Sequence, residues 1–362
     1  MIYDMEELVR SPALRASFQL AEPPCPSRLR VPEHLIDPRP RPDPNSDIMP
    51  LVGGGVRAAS GDGLLLLDFM DARATAPIVG KVGTARARRL IGFDTDPDRT
   101  RFVCNPLSGQ LFRLPDIDGT KKTSECQSLG ILTQSESPNG PPDRYAVAWL
   151  DVVVGSFVMR RFLSQTGEWD KLVGLPSPLP LARQMVINHD VVAFAGRLWW
   201  IDVTWGAVSV DPFSDRPELR FVELPRGSVT EPEQGLPKLG TCRRMGVSEG
   251  RIHYAEVSQK KPFVLSSFAL EDDGSCWTLE HRLALNRLRD WADGGHPGRE
   301  EDAPCIGVID PLDASIMILT IGSYAISVDM DRGKFPTPCI LPPWLGSTLI
   351  PSAGERLSRV VI

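Results

Sequence analysis

From about residue 51 onward, apolar runs of four to eight residues alternate with clusters of Gly, Asp, Ser and Pro, about twenty such runs in all. Runs this short, bounded by turn residues, predict β-strands. Residues 22–50 have a different pattern, rich in Pro. Each Pro removes a backbone donor and biases its predecessor toward extended conformations, which predicts an irregular arm lying on the main domain or hanging free of it. Helical spacing is confined to 283–292, where Leu285, Leu288 and Trp291 or Ala292 recur, so a short helical insert is expected there. The expected division is an arm over 1–50, a main domain over 51–345 and a tail over 346–362.

The strands repeat. An aromatic residue two positions before an acid recurs in VAWLD (Trp149, Asp151), LWWID (Trp200, Asp202) and IHYAE (Tyr254, Glu256), at spacings of 51 and 54 residues. Hairpins with a Gly turn recur around Gly109, Gly167, Gly274 and Gly333, and SVDPFSDRPELRFVELP around Asp215 supplies a further member without Gly. These turns recur every 48–59 residues, and Ala195-Gly196-Arg197 is echoed 54 residues later by Glu249-Gly250-Arg251. About four strands per interval is the content of one propeller blade. The expectation is an all-β propeller of about six four-stranded blades, with five or seven possible, closed by a further or composite blade. Two packed sandwiches are the competing architecture.

Composition narrows the function. The 34 Pro and 31 Gly are more than long helices tolerate. With 40 basic and 46 acidic residues the net charge is −6, which does not favour phosphate-backbone binding. The local cluster Arg86, Arg88 and Arg89 is a small anion patch at most and otherwise a solvated face. The seven Cys (25, 104, 126, 242, 276, 305 and 339) are scattered and odd in number, which predicts buried free thiols in a reducing compartment. The five His make no metal-ligand spacing with them. Asp4, Glu6 and Glu7 stand where a signal peptide needs positive charge, and the longest apolar stretch, Ala146 to Met159, is too short to span a bilayer. A cytoplasmic or nuclear monomer without cofactor or metal is expected, in contact with neither nucleic acid nor membrane.

Candidate chemistry is sparse. Gly246-Val247-Ser248-Glu249-Gly250 matches G-x-S-x-G, with His253, His281 and His296 after it. The nucleophile elbow needs a helix next, whereas RIHYAEV alternates like a strand, so a hairpin turn is expected. Gly53-Gly54-Gly55-Val56-Arg57-Ala58, with Asp71 further on, can be written as a dinucleotide fingerprint, yet a turn and a strand follow it. Asp94, Asp96 and Asp98 resemble half a calcium loop that lacks its Gly (Arg99 stands there) and its final Glu (Asn105). His189-Asp190 has no matching nucleophile, and neighbours on a strand face opposite sides. Trp199, Trp200 and Trp205 are expected between blades, with contact to a partner as the alternative. Asp151, Asp202 and Glu256 are expected in blade-to-blade hydrogen bonds, or else lining a channel mouth.

Segments 61–69 (GDGLLLLDF) and 101–115 (RFVCNPLSGQLFRLP) resemble plant F-box-associated and kelch-type propellers. More specifically, 191–225, 243–257, 264–285 and 341–355 resemble the grass-expanded plant family named domain of unknown function 1618. This resemblance implies an intracellular plant protein and carries over no catalytic, ligand-binding or metal residue. The F-box itself is not seen, because residues 1–50 are Pro-rich and lack its amphipathic helices. The function expected is a non-enzymatic module that binds a protein partner through one propeller face. A hydrolase or lyase at the channel mouth, using Asp151, Asp202 and His189, or a carbohydrate- or small-molecule-binding propeller, is the alternative.

Overall fold

The computed structural model describes residues 14–341 apart from 83–84, 122–127, 138–139, 154, 181–182, 188, 232–235, 272–273, 275, 286–303 and 336–338. An arm comes first, with a hairpin of β1 (Ser17–Gln19) and β2 (Arg28–Arg30) and one helical turn, α1 (Glu33–Ile36). Blade 1 is β3 (Ile48–Ala59), β4 (Leu65–Thr75), β8 (Asp98–Asn105) and β9 (Gln110–Arg113). Between β4 and β8 it carries β5 (Ile78–Val82), β6 (Ala85–Arg88) and β7 (Gly92–Phe93). Blade 2 is β10 (Leu129–Gln134), β11 (Arg144–Val153), β12 (Ser156–Leu163) and β13 (Glu168–Pro176). Blade 3 is β14 (Val191–Phe194), β15 (Arg197–Asp202), β16 (Gly206–Val210) and β17 (Arg220–Glu223). After α2 (Leu236–Cys242), blade 4 is β18 (Arg243–Ser248), β19 (Arg251–Val257), β20 (Val264–Leu270) and β21 (Trp277–Ala284). Blade 5 is β22 (Cys305–Ile309), β23 (Ile316–Ile321), β24 (Tyr324–Asp329) and β25 (Cys339–Ile340).

The molecule is therefore an all-β propeller with five blades, each an antiparallel meander. The first strands are innermost, since β3 approaches β10, β10 approaches β14, β14 approaches β18 and β18 approaches β22. Period-2 alternation gives every blade two apolar faces, and stacking buries both. One cluster joins Leu66 and Val103 of blade 1 to Ile131, Val147 and Phe162 of blade 2. Trp200 and Val208 pack on Met159 and Phe157, Tyr254 on Ile201 and Trp199, and Met317 and Val328 on Val257 and Leu265.

Blade 1 has a second apolar face, the one turned toward blade 5. Val56, Leu65, Leu67, Phe102 and Cys104 are covered there by Ala16, Val31 and Ile36 of the arm. Cys25 of the arm is disulfide-bonded to Cys339 of β25, with Cα atoms 5.6 Å apart. The arm thus stands between the last blade and the first. This explains the blade number: five suffice, at the low end of the expected range, because the arm covers the face for which a further blade was expected.

Of the two dispositions expected for the arm, the structure has it lying on the main domain, where it contains a hairpin and a helical turn. Two expectations are corrected. Leu283 and Ala284, the start of the expected helical insert, end strand β21, and 286–292 lie outside the described residues. Cys25 and Cys339 are bonded, whereas Cys104 and Cys242 are buried free thiols as expected; Cys276 is exposed, Cys305 half-buried, and Cys126 lies outside the described residues. Among the described residues no helix is long and apolar enough to cross a membrane.

Candidate functional site

The two ends of the ring are built differently. Every inner strand runs the same way, so the links between blades and the links from second to third strand all emerge at one end. That end carries the long connections 76–97, 114–128, 177–190 and 224–242. The opposite end has mostly tight turns, including 60–64, 106–109, 164–167, 195–196 and 249–250. Long connections on a rigid scaffold are where binding residues are usually held.

The three acids of the repeated strands all fall at the long-connection end, near the C-termini of β11, β15 and β19, yet they do separate work. Asp202 is fully buried, with Val186 N–H donating to Oδ2 at 3.0 Å and Thr204 N–H and hydroxyl donating to Oδ1 at 2.8 and 2.5 Å. It fixes the turn into β16. Asp151 is exposed. Glu256 accepts the Tyr254 hydroxyl at 2.9 Å and lies 3.7 Å from Arg243. His189 accepts Asp190 N–H on Nδ1 at 2.7 Å and has Nε2 3.1 Å from the Arg243 carbonyl, so both ring nitrogens are engaged. Asp190 pairs with Arg244 at 2.7 Å, and Arg244 also donates to the Gly307 carbonyl, tying blades 3, 4 and 5 together.

A cavity of about 320 Å³ opens at this end between blades 3 and 4, lined by Thr230, Leu239, Arg243, Glu256, Ser258 and Gln259, among others. Arg243 is positioned by the Val203 carbonyl, to which Nη1 donates at 2.7 Å. Burial, with the Glu256 carboxylate adding to it, holds the Tyr254 hydroxyl well above its ordinary value. The Ser258 hydroxyl is taken up by the carbonyls of Lys260 and Pro262. A charge-balanced wall of this kind can hold a polar group. Sequence reasoning found Glu256 but missed Arg243, which pairs with it across the β18–β19 ladder.

The second feature is the insertion in blade 1. Beyond Thr75 the β4 strand continues as a two-stranded ribbon, β5 with β6, anchored through β7 on β4. Apolar residues on it and on the chain just after it face solvent: Val79 is 63% exposed, Ile91 62%, Phe93 57% and Leu90 47%. The strand pattern was legible in the sequence, but nothing in alternation alone says that a side chain is left uncovered. At the ribbon's base Arg39 lies 3.1 Å from Asp94, 3.4 Å from Asp71 and 3.8 Å from Asp98. The half calcium loop is therefore partly an arm anchor. Arg88 and Arg89 belong to this ribbon, while the Arg86 side chain lies outside the described residues.

The remaining motifs are structural. Ser248 ends β18 and donates to the Asp310 carbonyl at 2.6 Å, and Glu249 and Gly250 have φ of 49 and 73°, the hairpin turn expected in place of an elbow. His253 is buried in β19, His281 lies in β21 3.1 Å from Asp331, and His296 is outside the described residues. Gly53, Gly54 and Gly55 lie within β3, with Gly54 directly opposite Phe69. Trp199 and Trp200 face opposite sides of β15 and are both buried, as is Trp205. Among the described residues no three His, Cys, Asp or Glu are grouped to hold a metal ion.

Residues 200–317 match the family model described as protein of unknown function, DUF1618. No curated protein matches the chain in sequence. The solved structures it is similar to include apo AztD from Citrobacter koseri, at 11% identity and a TM-score of 0.34 over 83% of this chain and 93% of that one. Hydrazine synthase of Kuenenia stuttgartiensis shows 14% identity and a TM-score of 0.35 over 84% and 89% of the two chains. The family 117 glycoside hydrolase Zg3597 of Zobellia galactanivorans shows 8% identity and a TM-score of 0.32 over 86% of each. Likenesses this distant assign neither activity nor ligand.

Proposed function

We propose that the chain is a non-catalytic binding module that takes a protein partner on the end of the ring carrying its long connections. The observation behind this reading is the projecting blade 1 ribbon, which leaves Val79, Leu90, Ile91 and Phe93 in solvent at that end. Apolar surface held open on a rigid ribbon at the long-connection end is the signature of an interaction site. Engagement of Asp202, His189 and Glu256 in separate local bonds favours binding over catalysis.

Lysine cross-linking of the full chain to stoichiometric partners captured from its native source tests the reading. Lys121, Lys260 and Lys261 lie in long-end connections, and Lys334 lies in the opposite-end turn of blade 5. Cross-links to the first three and none to Lys334 are expected. Cross-links centred on Lys334, or capture of no stoichiometric protein, would overturn it.

A further inference from the structure

We propose that the ribbon of β5 and β6, with the adjoining Leu90–Phe93, is itself the docking surface, and that its occupant is an extended, acidic and apolar segment of another protein. The inference rests on the binding-module reading and names the surface and the chemistry of the partner.

Three observations carry it. First, the apolar residues are presented in order. The ladder continues past β6 through Arg89 N–H to the Pro77 carbonyl at 3.0 Å and Ile91 N–H to the Thr75 carbonyl at 2.9 Å. Arg89 and Ile91 are therefore at alternate positions and share a face, while the register shifts at Gly92, which pairs with Thr75, so that Phe93, opposite Ala74, extends the apolar surface on the other face.

Second, three guanidinium groups beside the strip make no ion pair among the described residues. Arg88 is fixed by neutral acceptors, the carbonyls of Ala76 and Ser46, both at 2.9 Å, and Pro44 at 2.7 Å. Arg73 likewise donates to the Pro40 carbonyl at 2.7 Å. Arg89 is exposed. Among the described residues none of these three has a carboxylate partner, in contrast to Arg39 beneath them with three. An apolar strip flanked by guanidinium groups that make no ion pair with the described residues is complementary to carboxylates set among apolar side chains.

Third, β5 and β6 pair only with each other among the described strands, so the ribbon has open backbone edges on which an extended segment can lie. Arg88 holds the ribbon to the Ser46 and Pro44 carbonyls of the arm, and Arg39 of the arm pairs with Asp94 at its base, anchors that lower the ordering cost of binding.

The test is selection from a phage-displayed library of random peptides of about twelve residues on the full chain. Peptides that combine Asp or Glu with aliphatic or aromatic residues are expected, with binding that weakens as salt is raised. Ile91→Asp combined with Phe93→Asp, and separately Arg89→Glu, should each lower their affinity by about tenfold or more. Leu107→Asp, in the opposite-end turn of blade 1, should leave it unchanged. Circular dichroism and a melting curve establish that each variant is folded; Arg89→Glu, wholly at the surface, keeps the question answerable if the double variant is not. Selection of basic or neutral peptides, selection of none, or acidic-apolar peptides indifferent to both ribbon variants would overturn the proposal. If the native partner still cross-links to Lys121, Lys260 or Lys261 in that event, the binding-module reading stands and the ribbon alone is excluded.

Discussion

Gly109 sits where the first blade meets the arm. Its φ is +69°, and an added Cβ would run into the Ala16 carbonyl. Ala16 N–H meanwhile donates to the Gly109 carbonyl at 2.8 Å. Gly274 has a similar φ of +68° with open space around it. The pair separates backbone strain from collision. Gly274→Ala should cost about 1 kcal/mol from φ alone, and Gly109→Ala about 1–3 kcal/mol more as the arm is displaced, read by urea unfolding. His253 is a second residue with a clear consequence. It is 1% exposed, and burial holds its pKa below the ordinary value, with the Glu280 carboxylate 3.4 Å away opposing the shift. The folded chain keeps it neutral while the unfolded chain takes up a proton as pH falls. Stability should therefore decline as pH falls through the ordinary histidine value of about 6.5, and His253→Leu should flatten that decline, as melting curves across the range would show.

At the scale of the element, one device recurs two blades apart. Trp169 on β13 donates its indole N–H to the Pro115 carbonyl at 2.8 Å, and Trp277 on β21 to the Glu223 carbonyl at 2.7 Å, each reaching 54 residues back to the blade before it. Trp277→Phe keeps most of the ring contact with Tyr254 and loses the bond, so a loss of about 1 kcal/mol is expected in urea unfolding. The repeats seen in the sequence are these same elements. Trp149, Trp200 and Tyr254 all lie on second strands and face the preceding blade, and the Gly109, Gly167, Gly274 and Gly333 turns all join third strands to fourth. They were legible because a strand period and a left-handed turn each leave a local residue signature. The ribbon's exposure left none, since Ile91 and Phe93 alternate in the sequence as a buried strand would. The partnership of Arg243 with Glu256 is set by strand register, which no spacing in the sequence announces.

For the whole molecule, the seam between blades 5 and 1 depends on the arm. The Cys25–Cys339 bond joins residues 314 apart. No motif marks such a pair, so scattered Cys predict free thiols from sequence alone. A cross-link over so long a loop should stabilise by about 2–4 kcal/mol. Cys25→Ser should accordingly melt lower than the wild type under non-reducing conditions and no lower once a reductant is present, whereas Cys276→Ser, at an exposed free thiol, should melt as the wild type does. The same arm brings Pro44, Ser46 and Arg39 beneath the ribbon, so closure of the ring and presentation of its apolar strip are one construction.

If the proposal holds, the two ends of this ring are unequal in binding and the ribbon end takes the partner. Quantitative partner capture on two folded, full-length variants measures it directly. Ile91→Asp with Phe93→Asp alters the ribbon, while Leu107→Asp with Leu312→Asp alters turns at the opposite end, where those leucines are 98% and 84% exposed. The first variant should capture its partner about tenfold less well or worse, and the second should retain it. Retention by the first and loss by the second would contradict it.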